Sequence, residues 1–341
     1  MVNKNQLPLV QIGKNQLKTD LKRMGILEGD HVSVALSLKS IGFVVGGPDT
    51  LIDAILEVVG PKGTLIMNTH TKVFPISEIN PNFIFDHRST VPHTGIVPQC
   101  LMKRKGSIRS KHPIFSVVAI GRYAKYLTDN HDEHSTPYLP LEKLGKIEGK
   151  TLFIGTNGRL VAIRHEAQRK AGLSIVPMHL GVLYQNDRGK INLYAIDHPG
   201  CATRLPELVP KLEKMQTVKL GKVGMAPAII GSADGIIGDM SSMLKNDPTL
   251  SLCHDPLCVY CRELERRLDL YDKVKNPIYF QRSKLLIQLL CFRNKIILLR
   301  KYNRVSFCNP RMKRKFQPVS FTATILLRIS LILSHASKYK R

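Results

Sequence analysis

His31-Val32-Ser33-Val34-Ala35-Leu36, then Pro48-Asp49-Thr50-Leu51-Ile52-Asp53-Ala54-Ile55-Leu56-Glu57-Val58-Val59, then Gly63-Thr64-Leu65-Ile66-Met67 reads as strand, helix, strand. In the first run Val32, Val34 and Leu36 recur with the period of two that lines one face of a strand. In the second, Leu51, Ile52, Ile55, Leu56 and Val59 gather on one helical face. Pro48 suits a first helical turn, and Gly60-Pro61 stops the helix. The third run has the length and apolar content of a buried strand.

Outward from this unit the pattern continues. Residues 17–24 read as a short basic helix ended by Gly25, and Gly29-Asp30 turns the chain into the first strand. Lys150–Ile154 reads as another buried strand. Alternating strands and helices over the first half predict an α/β layered domain. Beyond Leu173 shorter runs at 180–185 and 190–195, joined by Asn186-Asp187-Arg188-Gly189, predict added strands rather than a second domain. Residues 262–268 read as a charged helix.

The 341-residue chain is 43% hydrophobic, the composition of a globular protein. Its net charge of +25 is unevenly spread. Residues 276–341 hold 15 Lys or Arg and no Asp or Glu, which leaves +10 for residues 1–275. That composition break places a domain at 1–275 and a basic tail at 276–341, poorly ordered or loosely helical. Within the tail, residues 285–300 could form a basic amphipathic helix on an anionic surface. A core charge of +10 favours a phosphorylated ligand without implying nucleic acid. The absence of Trp and of any aromatic-interleaved basic repeat also argues against nucleic acid. Residues 1–20 lack the apolar region of a secretory leader, and the apolar run 321–333 is too short to span a bilayer, so a cytoplasmic location is expected. Oligomeric state has no signature here.

Five passages carry candidate chemistry. Arg109-Ser110-Lys111-His112-Pro113, followed by Ser116, sets cations and hydroxyls in a turn before Val117-Val118-Ala119-Ile120, a composition that suits phosphate. Gly46-Gly47 precedes the Pro48 helix, where backbone amides and the helix terminus favour an anion. Ser37 and Leu38 follow the first strand, at the sheet end where open α/β folds bind ligands. His165, in Ile163-Arg164-His165-Glu166-Ala167-Gln168, is a candidate general base. On a helix, Gln168 shares its face while Glu166 points elsewhere. Cys258-x-x-Cys261 has zinc-knuckle spacing, and Cys253 or His254 lies near. With no second ligand pair in the sequence, structural thiols are the favoured reading over metal.

As an ordered set these passages resemble the aminoglycoside 3-N-acetyltransferase family. The matching blocks are Gly29-Asp30, residues 38–42, Val44-Val45-Gly46-Gly47-Pro48-Asp49-Thr50, Ile52-Asp53-Ala54 and residues 60–67. Gly95, Pro98, Arg109 to Pro113, Ser116, Gly121, Ala124, His131, Pro140-Leu141 and Ile154-Gly155 leading to His165 continue the set. It runs over residues 17–172, is weaker to residue 270, and leaves the tail unmatched. The resemblance implies a single layered α/β/α domain with a central sheet, and acetyl-coenzyme A as co-substrate, held near Ser37, Leu38, Gly46, Gly47, Arg109 and Ser110. It implies a small-molecule amine acceptor, an aminoglycoside or amino sugar, and direct transfer with His165 as general base. Three positions depart from the family pattern. Ala35-Leu36-Ser37-Leu38 stands for His-Ser-Ser-Leu, Leu139 for a Ser, and Gln168 for a glutamate three residues after the histidine, with Glu166 as a neighbouring carboxylate. The competing expectations are a coenzyme A-binding member without turnover and a basic protein for nucleic acid or an anionic surface.

Overall fold

The computed structural model describes residues 10–173, 176–198, 200, 201, 203–253 and 255–275. Contacts divide the chain into two units, Met1–Asp269 and Leu270–Arg341, and the architecture below is that of the first. The tail from 276, with the helix expected at 285–300, lies outside the described residues.

The first third holds β1 (Gln11–Ile12), α1 (Lys14–Met24), β2 (His31–Leu36), α2 (Leu38–Ile41), β3 (Phe43–Val44), α3 (Gly47–Val59) and β4 (Thr64–Asn68). The middle holds β5 (Phe74–Pro75), β6 (Ile84–Phe85), α4 (Ile96–Met102), β7 (Ile108–Arg109), β8 (Val117–Gly121), α5 (Ala124–Thr128), α6 (Leu139–Lys146) and β9 (Lys150–Ile154). Then come α7 (Ile163–Lys170), β10 (Val176–Gln185), β11 (Ile191–His198), α8 (Val209–Lys214), β12 (Val218–Val223), β13 (Ala226–Ser232), α9 (Ala233–Asn246) and α10 (Val259–Lys275).

The central sheet has the order β12-β13-β9-β2-β4-β8-β7. Its middle strands β9, β2 and β4 are parallel, and the flanking pairs are antiparallel. Side-chain alternation divides two cores. Val32, Val34, Leu65, Met67, Leu152 and Ile154 meet Leu17 and Leu21 of α1 and Leu51, Ile52 and Ile55 of α3 on one face. Ile66, Phe153 and Ile229 meet Leu144 of α6, Ile163 and Ala167 of α7 and Ile236 and Met240 of α9 on the other. This is the expected α/β/α layering. Strand β2 and strand β9 coincide with the sequence reading, and α1 is capped by Gly25 in the left-handed region at φ 102°. The hairpin β10–β11 also forms as expected, with β5 and β6 pairing on β10 in a second small sheet. Among the described residues no helix is long and apolar enough to cross a membrane.

Candidate active site

The carboxyl ends of the parallel strands converge on a cavity of about 160 Å³ lined by Leu36, Asn68, Thr94, Pro98, Thr156 and Val161, among others. Ligands of open sheets gather at this end. The loop after β9 runs along it through Thr156 and Val161 and then delivers α7. Ala162, at φ 66°, makes the abrupt turn into that helix, a strained conformation for a residue with a Cβ.

His165 lies in the first turn of α7 and is 7% exposed. Its Nδ1 is 2.8 Å from Oε1 of Gln168. Gln168 is fully buried, and its Nε2 donates to the carbonyl oxygen of Cys201 at 2.8 Å. That second bond fixes which end of the amide faces the imidazole. Oε1 accepts only, so Nδ1 carries the proton and Nε2 keeps the lone pair. Arg164 Nε donates to that Nε2 at 3.3 Å, which agrees with the tautomer. Tyr138 stacks on the imidazole at 6.1 Å between ring centroids. Arg164 Nη1 is buried with no hydrogen-bond partner among the described residues, and burial pushes this guanidinium's pKa down. Chemically, the arrangement is a histidine of fixed tautomer, held by a neutral amide and flanked by a cation.

Glu166 does not serve His165. Its fully buried carboxylate receives two bonds from Arg169, at 2.8 and 2.7 Å, and Arg169 also reaches Glu142 at 2.6 Å. Burial pushes the Glu166 carboxyl up, against the pull of Arg169. Glu166, the carboxylate nearest His165 in sequence, is thus committed to an ion triad with Arg169 and Glu142, and the helix turns it away from the imidazole.

The basic turn after β7 is also turned inward. Arg109 Nε lies 3.2 Å from Thr69 Oγ1 and 3.1 Å from Ser116 Oγ. Nη1 donates to the carbonyls of Thr90 and His87, at 2.5 and 3.4 Å, and Nη2 to that of Thr69 at 2.9 Å. Those bonds leave a single N–H uncommitted. Ser110 is 1% exposed. Its hydroxyl accepts from the Val117 amide at 2.9 Å and lies 2.9 Å from His131 Nδ1. His131 Nε2 is 3.2 Å from the Pro137 carbonyl, so it donates there and its Nδ1 accepts from Ser110. His112 Nδ1 accepts the amides of Ile114 and Phe115, at 3.2 and 3.0 Å, and its Nε2 lies 3.2 Å from Tyr194 Oη. Burial pushes the pKa of His131 down to about 3 and that of neighbouring His70 to about 4. Arg109 and Ser110, expected to present donors to phosphate, direct them in this structure to the protein's own groups. The same residue types knit the loops over the sheet end.

At the start of α3 Gly46 is exposed and Gly47 half-buried, both left-handed at φ 79° and 65°. A Cβ on Gly46 would lie 2.3 Å from Thr50 Oγ1, so the turn itself requires glycine there. Ser37 and Leu38 are half-buried where β2 passes into α2, and Ser40 Oγ donates to Ser37 Oγ at 2.9 Å. Cys201, which no spacing in the sequence singled out, lies with Cys253, Cys258 and Cys261, all four sulfurs within 4.8 Å of one another. His254 lies outside the described residues.

Comparison with known proteins adds the family context. The family model described as Aminoglycoside 3-N-acetyltransferase matches residues 34–245. Aminoglycoside N(3)-acetyltransferase VIII of Streptomyces fradiae is 32% identical over 176 residues, which cover 47% of this chain and 62% of that protein. The chain thus matches somewhat under two thirds of that relative's length. Among solved structures, a mutant of AAC(3)-IVa in complex with apramycin superposes with a TM-score of 0.63 at 22% identity, covering 74% of this chain and 99% of the other. AAC-IIIb as a binary complex with CoASH gives 0.61 at 22%, covering 69% and 97%. At these identities the structures speak to the shared fold.

Proposed function

Since this chain belongs to the aminoglycoside 3-N-acetyltransferase family, we propose that it moves an acetyl group from acetyl-coenzyme A to an amino group of an aminoglycoside or related amino sugar. His165 is the general base of the reaction. The observation that carries this reading is the Gln168–His165 pair, which leaves the lone pair on Nε2 of an imidazole whose helix follows directly on the loop that lines the cavity at Thr156 and Val161. The acceptor amine attacks the thioester carbonyl while its proton passes to Nε2. The C–S bond then breaks, and the departing thiolate takes a proton, returning His165 to its neutral form. Transfer is direct, with no acyl-enzyme. Ser110, the serine that meets a histidine, is buried, and its hydroxyl is held by the Val117 amide.

On this reading the acetyl group enters the cavity past Ala35 and Leu36, where apolar side chains stand for the family's polar pair. The nucleotide phosphates lie by the Gly46-Gly47 turn, at the start of a 13-residue helix, with Ser37 and Leu38 against the pantetheine arm. Arg164 must yield Nε2 as the acceptor enters, and its cation disfavours a second positive charge on the imidazole. Residues 1–275 suffice for all of this.

Gln168 supports a second reading, coenzyme A binding without turnover, because an amide cannot offset the charge of an imidazolium. The test is a panel of aminoglycosides and simple amino sugars incubated with the chain and acetyl-coenzyme A. Acetylated product, identified by mass, supports catalysis. Coenzyme A binding with no product from any amine supports the second reading.

A further inference from the structure

The four-thiol cluster lies outside the reaction just described, and it has the composition and shape of a metal centre. Cys258 immediately precedes α10 and Cys261 lies in its first turn; Cys253 lies in the preceding loop, and Cys201 follows β11. Cys201 is far from the other three in sequence, yet all four sulfurs fall within 4.8 Å of one another. Sulfurs around a tetrahedral zinc at about 2.3 Å stand roughly 3.8 Å apart, so ligation needs only small side-chain adjustments.

Backbone amides address two of the sulfurs. The amide of Cys253 donates to Cys261 Sγ at 3.1 Å, and that of Thr203 to Cys201 Sγ at 3.4 Å. Such N–H···S bonds stabilise the negative charge of ligating sulfur. Cys258 and Cys261 also sit at the amino end of a 17-residue helix, which favours anions. Two of the four residues are buried and two half-buried, the enclosure of a structural site with no open coordination position. A disulfide is the competing fate. Cys253 and Cys261 stand 3.4 Å apart between sulfurs, and pairing them would leave Cys201 and Cys258 against the new bond.

We propose that Cys201, Cys253, Cys258 and Cys261 bind one zinc ion, a structural clip that ties the loop after β11 to the start of α10. The clip reaches the candidate active site through a single residue. The carbonyl of Cys201 is the acceptor for Gln168 Nε2. Gly200 beside it is at φ 135°, and a Cβ there would come within 3.4 Å of that same nitrogen. Fixing Cys201 by its sulfur therefore fixes the orientation of Gln168, and through it the tautomer of His165. Gln168 is a positioning residue in this scheme.

The test uses the full chain, purified under reduction without chelator. Elemental analysis is expected to give about one zinc per chain. Exchange for cobalt(II) is expected to give the visible bands of tetrahedral tetrathiolate coordination. Replacing the other three cysteines together, Cys100→Ser, Cys291→Ser and Cys308→Ser, leaves the metal in place, whereas Cys258→Ser releases it. If Cys258→Ser does not fold, the cobalt spectrum of the unmodified chain decides. Substoichiometric zinc together with a cobalt spectrum lacking those bands overturns the proposal. So does a disulfide between cluster cysteines in the reduced preparation, or iron in place of zinc. None of these readings depends on acetyl transfer.

Discussion

Gln168 Oε1 stands 2.8 Å from His165 Nδ1, and it holds the imidazole in the tautomer that a carboxylate would select, without a carboxylate's charge. Orientation and charge stabilisation, usually delivered by one acidic residue, are separated in this chain.

Gln168→Glu rejoins them. The carboxylate stabilises the protonated imidazole, so the base is lost to protonation at a higher pH than in the parent. The acid limb of the rate profile should move up by about one unit or more. The rate on its plateau should rise roughly tenfold or more, the reverse of the large loss that follows when a triad carboxylate becomes an amide. The new oxygen faces the Cys201 carbonyl where an N–H stood, so the variant should also be less stable by about 1–3 kcal/mol. A pH–rate profile superimposable on the parent's would show that His165 does not need the charge.

Arg109→Ala should cost stability rather than coenzyme A affinity. It strips donors from the carbonyls of Thr69 and Thr90 and from two hydroxyls. The expected loss is about 2–3 kcal/mol, with little change in the dissociation constant of the folded fraction. Denaturant unfolding and calorimetry with coenzyme A check the two halves. A folded variant of normal stability that no longer binds coenzyme A would return Arg109 to the phosphate site.

Acid should loosen the loops over the sheet end before carboxylates begin to titrate. Burial holds His70, His112 and His131 below the ordinary histidine value, with His70 at about 4 and His131 at about 3. Unfolded histidine binds its proton near 6.5, so between that pH and the folded values the unfolded chain holds more protons. Their contribution is fully present above pH 6.5 and declines as pH falls toward 4. Glu166, whose carboxyl burial raises, works in the opposite sense. A thermal midpoint that falls by roughly 5 °C or more from pH 7 to 5 is expected. A flat midpoint over that interval would contradict the neutral, buried state of the three imidazoles.

Much of this molecule is legible in its sequence, for reasons that differ by element. Strands β2 and β9 and helix α3 could be read because alternation, a capping proline and terminating glycines are local signals. Strands β12 and β13 escaped notice. In β12, Lys219, Leu220, Gly221 and Lys222 are all exposed, so an edge strand shows no apolar alternation. The site divides in the same way. The His165–Gln168 pair follows from helical spacing, whereas the fate of Arg109 depends on which loops fold over it. A cation with nearby hydroxyls has one composition whether it faces a ligand or the chain's own carbonyls. Cys201 joined the other thiols through tertiary topology, more than 50 residues from Cys253 in sequence.

A chain ending at Lys275 should remain folded and retain acetyl transfer. The described elements end there with α10, and the candidate active site lies wholly within the unit Met1–Asp269. Thermal unfolding and product formation, compared with the 341-residue chain, check this. Loss of either would place part of the fold or the site beyond residue 275.

The central claim is that His165 takes the acceptor's proton, and His165→Ala tests it most directly. Turnover and coenzyme A affinity should be measured on the same folded preparation, with the acceptor that the panel identifies. The account predicts turnover reduced by about 10²–10⁴ while coenzyme A affinity stays nearly unchanged. Turnover equal to the parent's would remove His165 from the chemistry and contradict the account.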